Sequence, residues 1–139
     1  MRKLSPSKKL VELYLIFGIS GTNSDMQELL KLKASDSRAK EAIEMFCYQS
    51  KKYIGAYAAT LGGLNRLVFS GGIGENAPQI RERICHGLDF LGIELDKKRN
   101  TKNKAIISSD NSAVTVHVIK TNEELMIANL VCNKLNLKH

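Results

Sequence analysis

The sequence predicts an α/β fold built on a parallel βαβ unit, and three observations carry that expectation. A short apolar run, Leu67-Val68-Phe69, leads directly into a glycine-rich stretch. Further on, Val114, Val116 and Val118 alternate with Thr115, His117 and Ile119, the period-two pattern of a strand. Between the two runs lies a helical apolar stripe and enough chain for the crossover that parallel strands require.

The elements follow in order. Residues 1–17 carry little periodic signal, and Gly18 to Ser24 is a loop by composition. Ser24 or Asp25 can cap a short helix through about Lys33, with Glu28 placed for a capping box. From Ser35 to about Leu61, Ala39, Ala42, Ile43, Phe46, Cys47, Ile54, Tyr57 and Ala58 recur at three- and four-residue steps, one helical stripe that Gly62-Gly63 terminates. After Leu67–Phe69, Asn76 reads as an N-cap and Pro78 suits the first turn. The helix so begun, Ala77–Leu91, puts Ile80, Ile84, Leu88 and Leu91 on one face and ends near Gly92. Ile93 to Leu95 and Ala105 to Ser108 read as short extended pieces around a polar connection, Asp96 to Lys104. Thr121 and Glu124 form the capping box of a final helix. The strands Leu67–Phe69 and Val114–Val118 are expected as parallel neighbours, with helix Ala77–Leu91 crossing between them.

Composition narrows the function classes. The 139 residues are 43% hydrophobic and 25% charged, a globular composition sized for one domain. A net charge of +7 admits nucleic acid, a membrane surface or a small anion as partner. The bases are scattered, however; the longest run is Lys97-Lys98-Arg99, no RNA-type aromatic motif accompanies it, and no nucleic-acid partner is expected. Cys47, Cys85 and Cys132 lie far apart within apolar patterns, without metal or disulfide spacing, and read as reduced thiols. No signal peptide or membrane-length apolar run occurs, so the expected location is cytoplasmic and no membrane partner is expected. His86 and His117 have no carboxylate or serine at useful spacing and read as structural.

The strongest chemical signal is Ser70 to Asn76. Three glycines at the carboxyl end of a strand let backbone approach a ligand where no Cβ stands in the way, and a following helix offers free N–H groups. No Lys-Ser/Thr follows, so this is not a Walker loop. Gly72-x-Gly74-x-x-Ala77, with Glu94 or Asp96 about twenty residues on, imitates the dinucleotide fingerprint. An NAD-binding Rossmann-type module and a tight structural turn therefore stand beside the nucleotide reading. Arg81 and Arg83, past the loop, read as solvated.

Four ordered blocks resemble the acetate kinase (acetokinase) family, in its carboxyl-terminal portion. Leu67-Val-Phe-Ser-Gly-Gly-Ile-Gly-Glu-Asn76 is similar to its Gly-Ile-Gly-Glu-Asn loop, and Gly18-Ile-Ser-Gly-Thr-Asn-Ser-Asp-Met26 to its adenosine loop. Phe46–Tyr48 through Lys52–Ala59 resembles its long helix, and His86–Asp96 with Ile119–Ala128 its final blocks. The resemblance implies an actin/Hsp70/sugar-kinase-like (ribonuclease H-like) lobe over residues 18–139, with 1–17 as a poorly matched segment. It implies transfer of the ATP γ-phosphoryl to acetate in the whole enzyme, with ATP/ADP and Mg²⁺ as cofactors. Adenosine contacts would fall to Asp25, Met26, Gln27, Gly72, Ile73, Gly74, Glu75 and Asn76, and a magnesium contact to Glu123. Ile73 would wall the base and Asp25 bind the ribose hydroxyls. Gln27 stands where the family usually has Arg, which removes a planar cation able to stack on adenine. The family's catalytic arginines, catalytic aspartate and acetate pocket precede the part matched here, so no catalytic residue is expected in this chain. Acetate would enter only with the missing amino-terminal lobe, and a homodimer or a partner lobe is the protein partner the resemblance allows. A non-catalytic remnant of a truncated kinase is the remaining reading.

Overall fold

The computed structural model describes residues 26–121. Helix α1 spans Met26–Leu32 and α2 spans Ser37–Leu61. Strand β1, Arg66–Ser70, runs into a one-and-a-half-turn helix α3, Gly71–Asn76, and then α4, Pro78–Cys85. A 3₁₀ turn at Asp89–Leu91, a short helix α5 at Lys97–Thr101 and strand β2 at Thr115–Ile119 complete the order. The final helix expected from Thr121 lies outside the described residues.

β1 and β2 pair in parallel, in the register Arg66 with Thr115 through Ser70 with Ile119. The expected neighbours are thus neighbours in the fold. On its other side β2 receives residues 105–107 antiparallel: the Ile107 N–H donates to Val116 O and the Val118 N–H to Ala105 O, each at 2.9 Å. An isolated bridge from Leu95 to Ser108 joins the two short extended pieces. No helix among the described residues is long and apolar enough to cross a membrane.

Two core clusters meet along β1. The first gathers Met26 and Leu29 from α1, Ala39, Ala42, Ile43 and Cys47 from α2, then Ala77, Ile80 and Ile84. The second holds Cys85, Leu88, Ile93, Ile107, Val114, Val116 and Val118. Ile54 and Phe69 pack against both and tie them together. The core stripe of α2 is as the periodicity predicts except at Tyr57, which is 56% exposed and stacks on Tyr53 at 6.4 Å. It sits on the flank of the stripe, one residue from the buried Ala58.

Three boundaries differ from expectation, each for a local reason. Asp36 caps α2, its Oδ1 accepting from the N–H groups of Arg38 and Ala39, so the helix starts at Ser37. The crossing helix is not continuous over Ala77–Leu91. It leaves helical geometry at His86, and Gly87 at φ +77° turns the chain into the 3₁₀ turn. The connection expected over Asp96–Lys104 contains α5, because the Asp96 carboxylate accepts the Arg99 N–H at 2.8 Å and caps a turn of helix. Those hydrogen bonds, with Arg99 and Lys98 nearby, hold the Asp96 carboxyl below its usual range.

Two glycines with left-handed backbone separate two kinds of cost. Gly62, the α2 C-cap, has φ +73° and open space around a would-be Cβ. Gly92 has φ +81°, and a Cβ there would lie 2.8 Å from Ala113 Cβ. Gly62→Ala should lose roughly 1–2 kcal/mol from backbone strain alone. Gly92→Ala should lose clearly more in urea unfolding, because overlap adds to the strain. Equal losses would contradict the packing at Gly92.

Candidate functional site

The glycine-rich stretch departs from the carboxyl end of β1, where ligands of parallel sheets gather. Ser70 is fully extended and Gly71 adopts φ +75°, the corner that lets the chain coil at once into α3. Gly72 to Asn76 are therefore helical and not an open loop. Asn76 is not the N-cap of α4: its Nδ2 donates to Gly72 O at 3.1 Å, closing α3, and Ala77 takes the cap position without a side-chain bond. Pro78 does occupy the first turn of α4.

The glycines have different reasons to be glycine. A Cβ at Gly72 would meet nothing within 4 Å, so this position faces open space. A Cβ at Gly74 would lie 3.1 Å from the Phe69 carbonyl carbon and 3.4 Å from Phe69 Cβ. The close approach at Gly74 is thus to β1, within the protein, and the open space lies on the Gly72 side. Ile73 is half-buried and packs against the first core cluster.

The Glu75 carboxylate is already engaged. Its Oε1 accepts from the Gly71 N–H at 3.0 Å, the Thr121 N–H at 2.8 Å and the Thr121 hydroxyl at 2.9 Å. The two Thr121 bonds, backbone then side chain, are the chief reason its pKa sits below the ordinary glutamate value. The start of α3 and the chain just after β2 are pinned by one oxygen.

Arg81 corrects the sequence reading most sharply. It is 0% exposed, not solvated, and donates to the carbonyls of Gly74 and Glu75 from behind α3. Arg83 is exposed, as expected. Periodicity missed Arg81 because it lies one step along α4 from Ile80; its signal was the asparagine pair, Asn100 and Asn103, which together with Asn100 O receives its other N–H groups.

Of the other predicted residues, Met26 is 1% exposed and belongs to the core cluster that includes Ala77 and packs Ile73, while Gln27 is exposed. Asp25 and Glu123 lie outside the described residues. Among the described residues no three His, Cys, Asp or Glu side chains converge as metal ligands. A depression of about 190 Å³ lined by Glu82, Cys85, His86, Asp89, Glu94 and neighbours holds none of the predicted adenosine contacts. Burial pushes the Cys85 thiol up to about 12, so it supplies no thiolate nucleophile at neutral pH.

Two outcomes follow from this geometry. Gly74→Ala should destabilise the protein by roughly 1–3 kcal/mol through overpacking against Phe69, whereas Gly72→Ala should have much less effect. Calorimetric melting of both variants checks the contrast, and similar losses would refute it. The Glu75 carboxyl, with its folded pKa below its unfolded one, adds stability that is complete above the unfolded value and is lost as pH falls through the folded one. Between about pH 6 and about pH 3 the urea midpoint should therefore fall further in the wild type than in Glu75→Gln.

The sequence profile of the Acetokinase family matches residues 8–129. The chain is 53% identical over 116 residues to an acetate kinase of Coprothermobacter proteolyticus, an alignment covering 81% of this chain and 29% of that protein. It is 49% identical over 116 residues to the Treponema denticola acetate kinase, with the same coverage. The fold superposes on the crystal structure of Porphyromonas gingivalis acetate kinase with a TM-score of 0.76 at 35% identity, covering 96% of this chain and 39% of that one. A propionate kinase from Francisella tularensis gives 0.73 at 38% identity, covering 91% and 37%. The α/β architecture is that of a lobe of the actin/Hsp70-like kinases, and the chain spans about three-tenths of the length of the curated relatives it matches. A profile match over most of its length and a shared fold together make this chain a member of the acetokinase family.

Proposed function

We propose that this chain is the adenine-nucleotide-binding part of an acetate kinase and that, taken alone, it does not transfer phosphoryl groups. The observation that carries this reading is the helix-coiled glycine stretch after β1, open at Gly72, in a chain of this family. The backbone at Gly72 and the exposed part of Ile73 are the surfaces left for adenosine, since the Glu75 carboxylate and the Asn76 amide are committed to holding the loop. Asp25 and Gln27, beside the buried Met26, would supply the second contact. Gln27 retains hydrogen-bonding groups but lacks the guanidinium plane, which weakens binding relative to an arginine.

Phosphoryl transfer depends on positioning and on cations that meet the charge of the transferring group. Within the described residues the one wholly buried arginine, Arg81, is spent on neutral carbonyl and amide oxygens. Magnesium, when bound, would neutralise nucleotide phosphate charge, and Glu123 is this chain's candidate for holding it. The described residues contribute no further cluster of ligands. The dinucleotide reading loses one of its two candidate ribose partners, because Asp96 spends its carboxylate capping α5 and facing Arg99, which leaves the exposed Glu94 as the other.

Calorimetric titration of the chain should show weak binding of ADP and no stronger binding of NAD. Binding of NAD without adenine nucleotides would replace this reading with the dinucleotide one. A hydroxamate assay with ATP and acetate should give no acetyl phosphate from the chain alone, since loss of even one catalytic arginine costs about 10³–10⁵ in rate in comparable sites. Turnover that disappears in Glu123→Ala would overturn the inactivity. Mixing with a separately produced amino-terminal portion of a relative separates a split enzyme, active only in the mixture, from a silent remnant.

A further inference from the structure

Arg81 has five N–H donors, and the fold uses them all. Nε donates to Asn100 Oδ1 at 2.8 Å; Nη1 donates to Gly74 O at 2.7 Å and Glu75 O at 3.0 Å; Nη2 donates to Asn100 O at 2.8 Å and Asn103 Oδ1 at 2.6 Å. Every one of these acceptors is neutral. A buried cation without a carboxylate is costly compared with an apolar side chain of similar volume. Burial accordingly pulls its pKa below the ordinary arginine value, though the guanidinium keeps its charge at neutral pH.

The placement of the acceptors explains what the cation accomplishes. Gly74 and Glu75 carry carbonyls at the carboxyl end of α3, where helices leave carbonyls without intrahelical partners, and Asn100 carries one near the end of α5 that also accepts the Asn103 N–H at 3.0 Å. A planar fork of donors fixes both ends at once, which a lysine's single ammonium cannot do. Asn103, in turn, sits at φ +49°, a left-handed conformation asparagine tolerates, and aims its amide oxygen at Nη2. Asn100 is locked from its other side as its Nδ2 donates to Pro78 O at 2.9 Å.

We propose that Arg81 is a positioning residue for adenine-nucleotide binding: it touches no ligand, but sets the Gly74 and Glu75 peptide planes from behind and thereby presents the Gly72 face preformed. This rests on the nucleotide reading given above. Preorganisation of this kind raises affinity by removing the ordering cost from the binding step.

The test uses the full 139-residue chain with ADP as probe, comparing wild type, Arg81→Lys and Asn103→Gly. The last removes one acceptor while keeping a residue at ease with positive φ. Amide hydrogen exchange is read at Gly72–Asn76 against the α2 interior, alongside calorimetric Kd values and urea midpoints. Arg81→Lys should accelerate exchange at Gly72–Asn76 selectively and raise the ADP Kd by about tenfold. Asn103→Gly should raise it by about threefold, with a urea midpoint lowered by less than in Arg81→Lys. If Arg81→Lys does not fold, Asn103→Gly decides alone, and an unaltered Kd in it overturns the proposal. Exchange that rises equally in α2, or a wild-type Kd in a folded Arg81→Lys, also overturns it while leaving the nucleotide reading intact. Absence of ADP binding by the wild type overturns both.

Discussion

Parallel strands cannot be joined by a tight turn, and the pairing of β1 with β2 is the constraint from which the rest of this structure follows. The chain leaving Ser70 has to rise over the sheet, travel its length and re-enter at Thr115. The corner at Gly71 begins that path, α3 and α4 carry it away, and the turns at Gly87 and Gly92 bring it back. Because α3 starts at the strand's very end, its glycines inherit a double duty. One must fit against Phe69, and another lies open to solvent. Placing a helix this tightly behind a strand leaves carbonyls at its far end that need donors, and Arg81 is the donor the fold provides.

How much of this could be read from the sequence depended on the range of each signal. The second strand and the long helix were legible because their patterns repeat every two or every three to four residues, and the first strand and the stop at Gly62 because an apolar run and a glycine pair mark them locally. The glycine stretch announced itself by composition. Arg81 did not, because its asparagine partners lie 19 and 22 positions away and a lone arginine beside Ile80 carries no periodic mark. Asn76 misled for a related reason: a good capping residue was consumed by the turn before it, bonding back to Gly72. The break at His86 was hidden because Ile84 and Leu88 keep helical spacing across it, and both are buried. Apolar spacing reports which side chains face inward, not whether the backbone between them stays helical.

The family assignment and the physical reading support each other at different levels. Membership rests on long alignment and shared architecture, while the division of labour within the loop rests on local geometry. The resemblance alone would treat Gly72 through Asn76 as equivalent ligand contacts. The hydrogen bonds divide them into surface and scaffold: Gly72 and Ile73 outward or half-exposed, Glu75 and Asn76 occupied within the protein. Glu75 also joins the loop to Thr121, so the glycine-rich loop and the chain just after β2 share an anchor.

The two core clusters have one more property. Cys47 belongs to the first and Cys85 to the second, both thiols are buried and free, and burial raises both pKa values. Thiol-modifying reagents need a thiolate and access, and each cysteine acquires both only when its own cluster opens. Among the described residues these two thiols therefore act as internal clocks, and the alkylation rate of each, resolved by peptide mass, times the opening of the cluster that holds it.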